Sequence, residues 1–146
     1  MDPIGFQVTV DAADPHAQAR FWAAALGYEV ELHDDAIRGA LASGVPADMT
    51  VEIDGHLFWR TMVAIRPPGA ADDEARRGRR LLFQTVPEPK EGKNRIHLDL
   101  NVGHDRAESE VARLLGLGAT LIGRYDKPEG RWVTLADPEG NELCVQ

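Results

Sequence analysis

The sequence predicts an α+β protein in which one strand–helix–strand pattern is written twice, about ninety residues apart. Two observations carry this. Phe6-Gln7-Val8-Thr9-Val10-Asp11 and Ile96-His97-Leu98-Asp99-Leu100-Asn101 both alternate apolar with polar residues, the period of a strand with one face on a core. Each is followed by a turn-prone gap, a helical stretch closing on Leu-Gly (Leu26-Gly27, Leu117-Gly118), and a further strand-like run. By strand parity Phe6, Val8 and Val10 share one face and Gln7 and Thr9 the other. The same parity turns Ile96, Leu98 and Leu100 toward a core, with His97, Asp99 and Asn101 opposite. A polar face on equivalent strands lines a binding cup.

The elements follow in order. Asp14-Pro15 opens the first helix, since aspartate caps and proline is tolerated at the first helical position. Ala17, Phe21, Trp22, Ala25 and Leu26 recur at helical spacing, and Gly27 supplies a left-handed exit. Tyr28-Glu29-Val30-Glu31-Leu32 returns to period two. Residues 35–43 form a short helix with Ile37 and Leu41 four apart. Residues 49–53 and 57–65 form a hairpin around Asp54-Gly55, a pair that tolerates the positive φ angles of a tight turn. Residues 66–80 read as an exposed loop, and 81–86 as a strand. In the second copy Ala107, Val111, Leu114 and Leu115 mark a helix over 105–117, before a strand from Ala119 to Ile122. The C-terminus is a hairpin: 132–136 and 141–146 alternate on either side of the turn Asp137-Pro138-Glu139-Gly140. Leu143 and Val145 then belong to the core, and Glu142, Cys144 and Gln146 face the cup. One domain results, with a first module over about 5–86, a linker over about 87–94 and a second module over about 95–146. The modules pair their sheets into one curved surface with helices outside.

Composition limits the function classes. An apolar fraction of 43% supports a core, and 27% charged residues suit a soluble surface. A net charge of −8 argues against a nucleic-acid partner, which calls for a basic stripe. The one basic cluster, Arg76-Arg77-Gly78-Arg79-Arg80, reads as a solvated loop offsetting Asp72-Asp73-Glu74. No run approaches the roughly 20 apolar residues of a bilayer span, and the N-terminus carries no secretory pattern. A single cysteine makes no internal disulfide and favours a reducing cytoplasm.

Several segments resemble the glyoxalase-like, bleomycin-resistance-type branch of the vicinal oxygen chelate superfamily. They are Asn94-Arg95-Ile96-His97-Leu98-Asp99-Leu100, Leu115-Gly116-Leu117-Gly118-Ala119-Thr120, and Trp132 through Gln146 with Asp137-Pro138-Glu139-Gly140-Asn141. Phe21 through Tyr28 is similar to the matching helix and strand of the first module. Leu81-Leu82-Phe83-Gln84 and Val86-Pro87-Glu88-Pro89-Lys90 are typical of the glyoxalase-like branch, whereas residues 34–80 match the superfamily poorly. The resemblance implies paired βαβββ modules, often dimeric, with a mostly antiparallel sheet cup for a small molecule. It covers metal-dependent lyases, isomerases and ring-opening dioxygenases, and also resistance proteins that only bind a drug; the fold does not choose among them. In the metal enzymes the ligands come from the first and last strands of each module. Carried over, those positions fall on Gln7, His97, Cys144 (where the enzymes usually have glutamate) and a last first-module strand offering only Gln84.

Two amides, one imidazole and one thiol make a weak set for a divalent ion. Glu142 and Cys144 are two apart on one strand, nearly 7 Å of backbone rise, so only a bend or bulge lets both reach one ion. No cofactor and no tightly bound catalytic metal are therefore expected, with a divalent metal as the alternative. Histidine side chains commonly exchange protons near neutral pH, so His97 is a candidate for general acid–base work, and Glu142 is a candidate carboxylate base. Asp99 orients His97 or meets solvent. Cys144 is more often a small buried residue than a reactive thiol. Trp22 belongs to the core, while Trp59 and Trp132 are candidates for the pocket wall. The ligand-binding set is thus Gln7, Thr9, Trp59, Asp99, Asn101, Trp132 and Cys144. The leading reading is a cytoplasmic, homodimeric small-molecule-binding protein. A metal-dependent lyase or isomerase for a small oxygenated substrate is the alternative, followed by an interaction dimer with a vestigial cup.

Overall fold

The computed structural model describes residues 4–69 and 79–146, so Asp72-Asp73-Glu74 and residues Arg76 to Gly78 of the basic cluster lie outside the described residues. The chain divides into two units, Met1–Pro87 and Glu88–Gln146.

In the first unit β1 (Val8–Ala12) leads into α1 (Pro15–Leu26). The Asp14 carboxylate accepts the Ala17 N–H at 2.9 Å and Gly27 takes φ 67° at the exit, so both helix ends are closed as the sequence predicts. Phe21, Trp22 and Ala25 are buried. After β2 (Glu29–Val30) come α2 (Asp34–Ala42) and the hairpin β3 (Thr50–Ile53) and β4 (His56–Trp59). Asp54 at φ 52° and Gly55 at φ 80° form its turn, the two positive angles that a twisted two-residue hairpin requires. β5 (Met62–Arg66) and β6 (Leu81–Thr85) complete a four-stranded sheet of order β1-β6-β5-β2, while β3 and β4 form a separate two-stranded sheet among the described residues. β6 is parallel to β1 and antiparallel to β5.

The second unit repeats that order. β7 (Leu98–Leu100), α3 (His104–Gly116), β8 (Thr120–Lys127), β9 (Gly130–Ala136) and β10 (Glu142–Val145) give the sheet β7-β10-β9-β8, again with first and last strands parallel. The βαβββ pattern therefore appears in both units, the first carrying α2 and the β3–β4 hairpin as an insertion. The turn between β9 and β10 is built on Asp137, only 2% exposed, whose Oδ1 accepts the N–H groups of Glu139 and Asn141 at 3.0 and 2.9 Å. Cores form on one face of each sheet: Val63, Ile65, Leu81 and Phe83 in the first, Val133, Leu135, Leu143 and Val145 in the second. A fully buried side chain of this size contributes about 1.5–3 kcal/mol.

Four expectations are corrected. Phe6 and Ile96 are 79% and 84% exposed rather than core, because the pairing of each leading strand begins two residues later, at Val8 and Leu98. The stretch 57–65 is two strands, not one, broken at Arg60-Thr61 so that β4 joins β3 and β5 joins the main sheet. Of Tyr28 to Leu32 only Glu29 and Val30 pair with β5. The strand read as ending at Ile122 runs on to Lys127.

Glu31, 8% exposed, receives Arg80 on both oxygens, Nε at 2.8 Å and Nη2 at 2.9 Å, with His33 at 3.3 Å. Burial pushes this carboxyl up, but the bonds and charge of Arg80, with His33, outweigh it and hold it below the usual glutamate range. Folding thus favours ionised Glu31. Its stabilisation is complete above the unfolded value of about 4.3 and is lost as pH falls through the lower folded value. Thermal melts of Glu31→Gln should show a loss of about 1–3 kcal/mol at pH 7 and a smaller loss at pH 3. An equal loss at both pH values would contradict this.

Candidate functional site on the second sheet

Register brings the chemistry together. Asp99 on β7 lies opposite Cys144 on β10, Cys144 opposite Thr134 on β9, and Thr134 opposite Gly123 on β8. These four residues form one row across the sheet, on the face away from Leu135 and Leu143. His97 precedes Asp99 by two residues and therefore points the same way. Its Nε2 lies 3.2 Å from an Asp99 carboxylate oxygen, and the Thr134 hydroxyl lies 3.5 Å from the Cys144 sulfur.

The neighbouring pair in the sheet supplies an apolar wall. Trp132 is the register partner of Tyr125, and their rings stack at 5.2 Å and 17°. The Lys127 ammonium stands 5.9 Å from both ring centroids, a cation–π contact. Gly123 makes room for this: a Cβ there would lie 2.9 Å from the Tyr125 hydroxyl oxygen. The extra residue Ile122 bulges β8 just before it. An open cavity of about 520 Å³ lies over this face, lined by His97, Asp99 and Cys144 and by the Trp132–Tyr125 pair.

Five of the sequence-predicted residues line this cavity: His97, Asp99, Trp132, Glu142 and Cys144. Asn101 sits one residue beyond β7 and acts at one remove, accepting the side-chain amide of the lining residue Gln146 at 2.9 Å. Gln7, Thr9 and Trp59 belong to the first unit. The Gln7 carbonyl accepts Arg80 Nη1 at 2.5 Å, Thr9 is exposed on β1, and Trp59 gives its backbone carbonyl to His16. Gln84 donates to Asp11 at 3.0 Å. Thr134 and Tyr125 were not anticipated. Alternation from Trp132 identifies Thr134, but Tyr125 follows only from the β8–β9 register.

The two carboxylates differ in use. Glu142 accepts the Asn94 N–H at 3.0 Å and lies 3.4 Å from the Lys90 ammonium. The Asn94 bond, opposed by burial and aided by Lys90, holds its carboxyl below the usual range. That favours the anion and lowers its proton affinity, the opposite of what a general base at neutral pH needs. Asp99 is the exposed one, and with His97 and Cys144 it places a nitrogen, an oxygen and a sulfur all within 4.8 Å of one another. Ligand distances of about 2.0–2.3 Å around zinc need these atoms roughly 3.5 Å apart, so a closure of about 1 Å suffices. The residues present fit a divalent ion through Asp99, which the sequence places in the ligand-binding set but not among the metal ligands, while Glu142 is committed elsewhere.

A profile of the glyoxalase-like domain matches residues 7–146. No curated protein matches the chain. Among solved structures it is similar to a glyoxalase/bleomycin resistance protein/dioxygenase family enzyme from Burkholderia phytofirmans, at 17% identity over 95% of this chain and 94% of that one, TM-score 0.60. It is also similar to the fosfomycin resistance protein FosX of Mesorhizobium loti, at 9% identity over 100% and 92%, TM-score 0.61. FosX of Listeria monocytogenes, solved with Mn(II) and a dihydroxypropylphosphonic acid, gives 9% identity over 100% and 90%, again with TM-score 0.61. These likenesses concern the fold. The repeated βαβββ topology and the profile match over nearly the whole chain place this protein in the glyoxalase-like domain family of the vicinal oxygen chelate superfamily.

Proposed function

We propose that the protein binds a small molecule on the second sheet, with a flat apolar part against Trp132 and Tyr125 and a polar end at His97, Asp99 and Cys144. The observation that carries this reading is the cavity of about 520 Å³ with one aromatic and one polar side, the usual make-up of a ligand pocket. Its open volume weighs against a vestigial cup filled by side chains. A thermal-shift screen with aromatic and polyketide-like molecules tests it. A ligand at a hundred times its Kd stabilises by about 2.7 kcal/mol, a rise of roughly 5–10 °C for a chain of this size. Trp132→Ala, and Gly123→Ala through displacement of the Tyr125 ring, should each remove more than half of that rise. A library that gives no shift sinks the binding reading.

One observation favours a second reading, a metal-dependent lyase or isomerase. His97, Asp99 and Cys144 would hold a divalent ion, which when bound supplies Lewis-acid polarisation of a substrate oxygen. His97 would then serve as a ligand rather than as a general acid or base. This reading ranks second because Asp99 already pairs with His97 and the Cys144 sulfur with Thr134. Elemental analysis after purification without chelators separates the two. The binding reading expects no stoichiometric metal. Near-stoichiometric zinc, manganese, iron or nickel that disappears in both His97→Ala and Asp99→Ala puts the lyase or isomerase first.

The proposed working form is a cytoplasmic homodimer. The dimer is supported by the exposed apolar surface at Leu121 and Ile122 on β8, an edge strand of its sheet, which needs a cover, and the cytoplasm by the single cysteine. Sedimentation at micromolar concentration should give a dimer, and a monomer there removes the proposal.

A further inference from the structure

The first unit contains a cavity that the reading above does not use. It has a volume of about 310 Å³, at the lower end of the range for small-molecule sites. One helical face of α1 forms one wall, with His16, Ala19 and Arg20 at i, i+3 and i+4. Val30 and Val63 form the floor. Val30 is the register partner of Ile65, so both belong to the sheet face on which α1 packs, opposite Thr9, Asp11 and Gln84. The inserted hairpin closes the third side with His56 and Phe58.

The two histidines are held in place. The Asp34 carboxylate accepts the Leu57 N–H at 2.9 Å and meets His56 Nδ1 at 2.9 Å. The Leu57 bond first, then His56, keeps the Asp34 carboxyl below its usual range. An ionised carboxylate only accepts, so Nδ1 of His56 carries the proton and Nε2 is the ring's remaining polar atom. His16 is fixed by Nε2 donating to the Trp59 carbonyl at 3.1 Å, with its ring edge-on to Phe58 at 5.4 Å. The Arg20 side chain makes no hydrogen bond or ion pair among the described residues. Its guanidinium is a donor-only fork whose best partner is a carboxylate. Asp54, the acid in the lining, sits on the exposed hairpin turn.

We propose that this cavity is a second ligand site, for a small carboxylic acid with an aromatic or branched apolar body. The body lies among Ala19, Val30, Phe58 and Val63, and the carboxylate meets Arg20. Two simple probes test this on the intact chain: benzoate, and benzamide as its neutral counterpart of similar shape. In ¹H–¹⁵N spectra benzoate should give saturable shifts at the amides of Ala19, Val30 and Phe58. Benzamide should bind about tenfold more weakly, as the loss of one charge-assisted bond implies. Arg20→Gln, an exposed change that leaves the fold intact, should weaken benzoate by a similar factor, and Ala19→Leu should fill the cavity and abolish the shifts. Trp132→Ala on the second sheet should leave them unchanged, so this site and the proposed one stand or fall separately. The absence of saturable shifts at millimolar benzoate overturns the proposal. So does equal binding of benzamide, or undiminished benzoate binding in Arg20→Gln.

Discussion

The structure depends on parallel pairing between the first and last strands of each unit. In the second unit that pairing sets Leu98 against Leu143, Asp99 against Cys144 and Leu100 against Val145. A slip of β10 by one residue would send Leu143 and Val145 to solvent and bury Cys144. The apolar positions, 0% exposed at Leu143 and Val145, therefore fix the register, and the register fixes which polar groups meet. The chemistry of the open face is set by the packing of the closed one.

The same topology gives a different outcome in the first unit. There the rows read Thr9–Leu82–Ala64 and Asp11–Gln84–Met62, with one polar bond, from Gln84 to Asp11. The second unit puts a carboxylate, a thiol and a hydroxyl in one row and a histidine beside it. What the first unit adds is its insertion. The β3–β4 hairpin meets α1 through His16 against Trp59 and Phe58, with α2 packed on β4, and borders space that the second unit has no elements to enclose.

Much of the fold was legible in the sequence because its signals are local. The Asp14 cap, the Gly27 exit, the Asp54-Gly55 turn and the Asp137 turn all act within a few residues. Alternation also assigned His97, Asp99, Glu142 and Cys144 to faces. It could not say where the leading strands begin to pair, and so it placed Phe6 and Ile96 in the core. Nor could it show that Asp99, rather than Glu142, stands beside Cys144. Asp99 and Cys144 meet through register across 45 residues of sequence, whereas Asn94 and Lys90 draw Glu142 away. Tyr125 was missed for the same reason, since only its pairing with Trp132 makes it part of a wall.

The central claim is that the row Asp99–Cys144–Thr134, with His97 and the Trp132–Tyr125 pair, forms one pocket. Its most direct test is a ¹H–¹⁵N spectrum with and without the first ligand found to raise the melting temperature. The account predicts shifts at the Asp99, Thr134 and Cys144 amides and at the Trp132 indole N–H, while the exposed residues of α3 stay in place. Saturable binding that leaves Asp99, Thr134, Cys144 and Trp132 unmoved would contradict it.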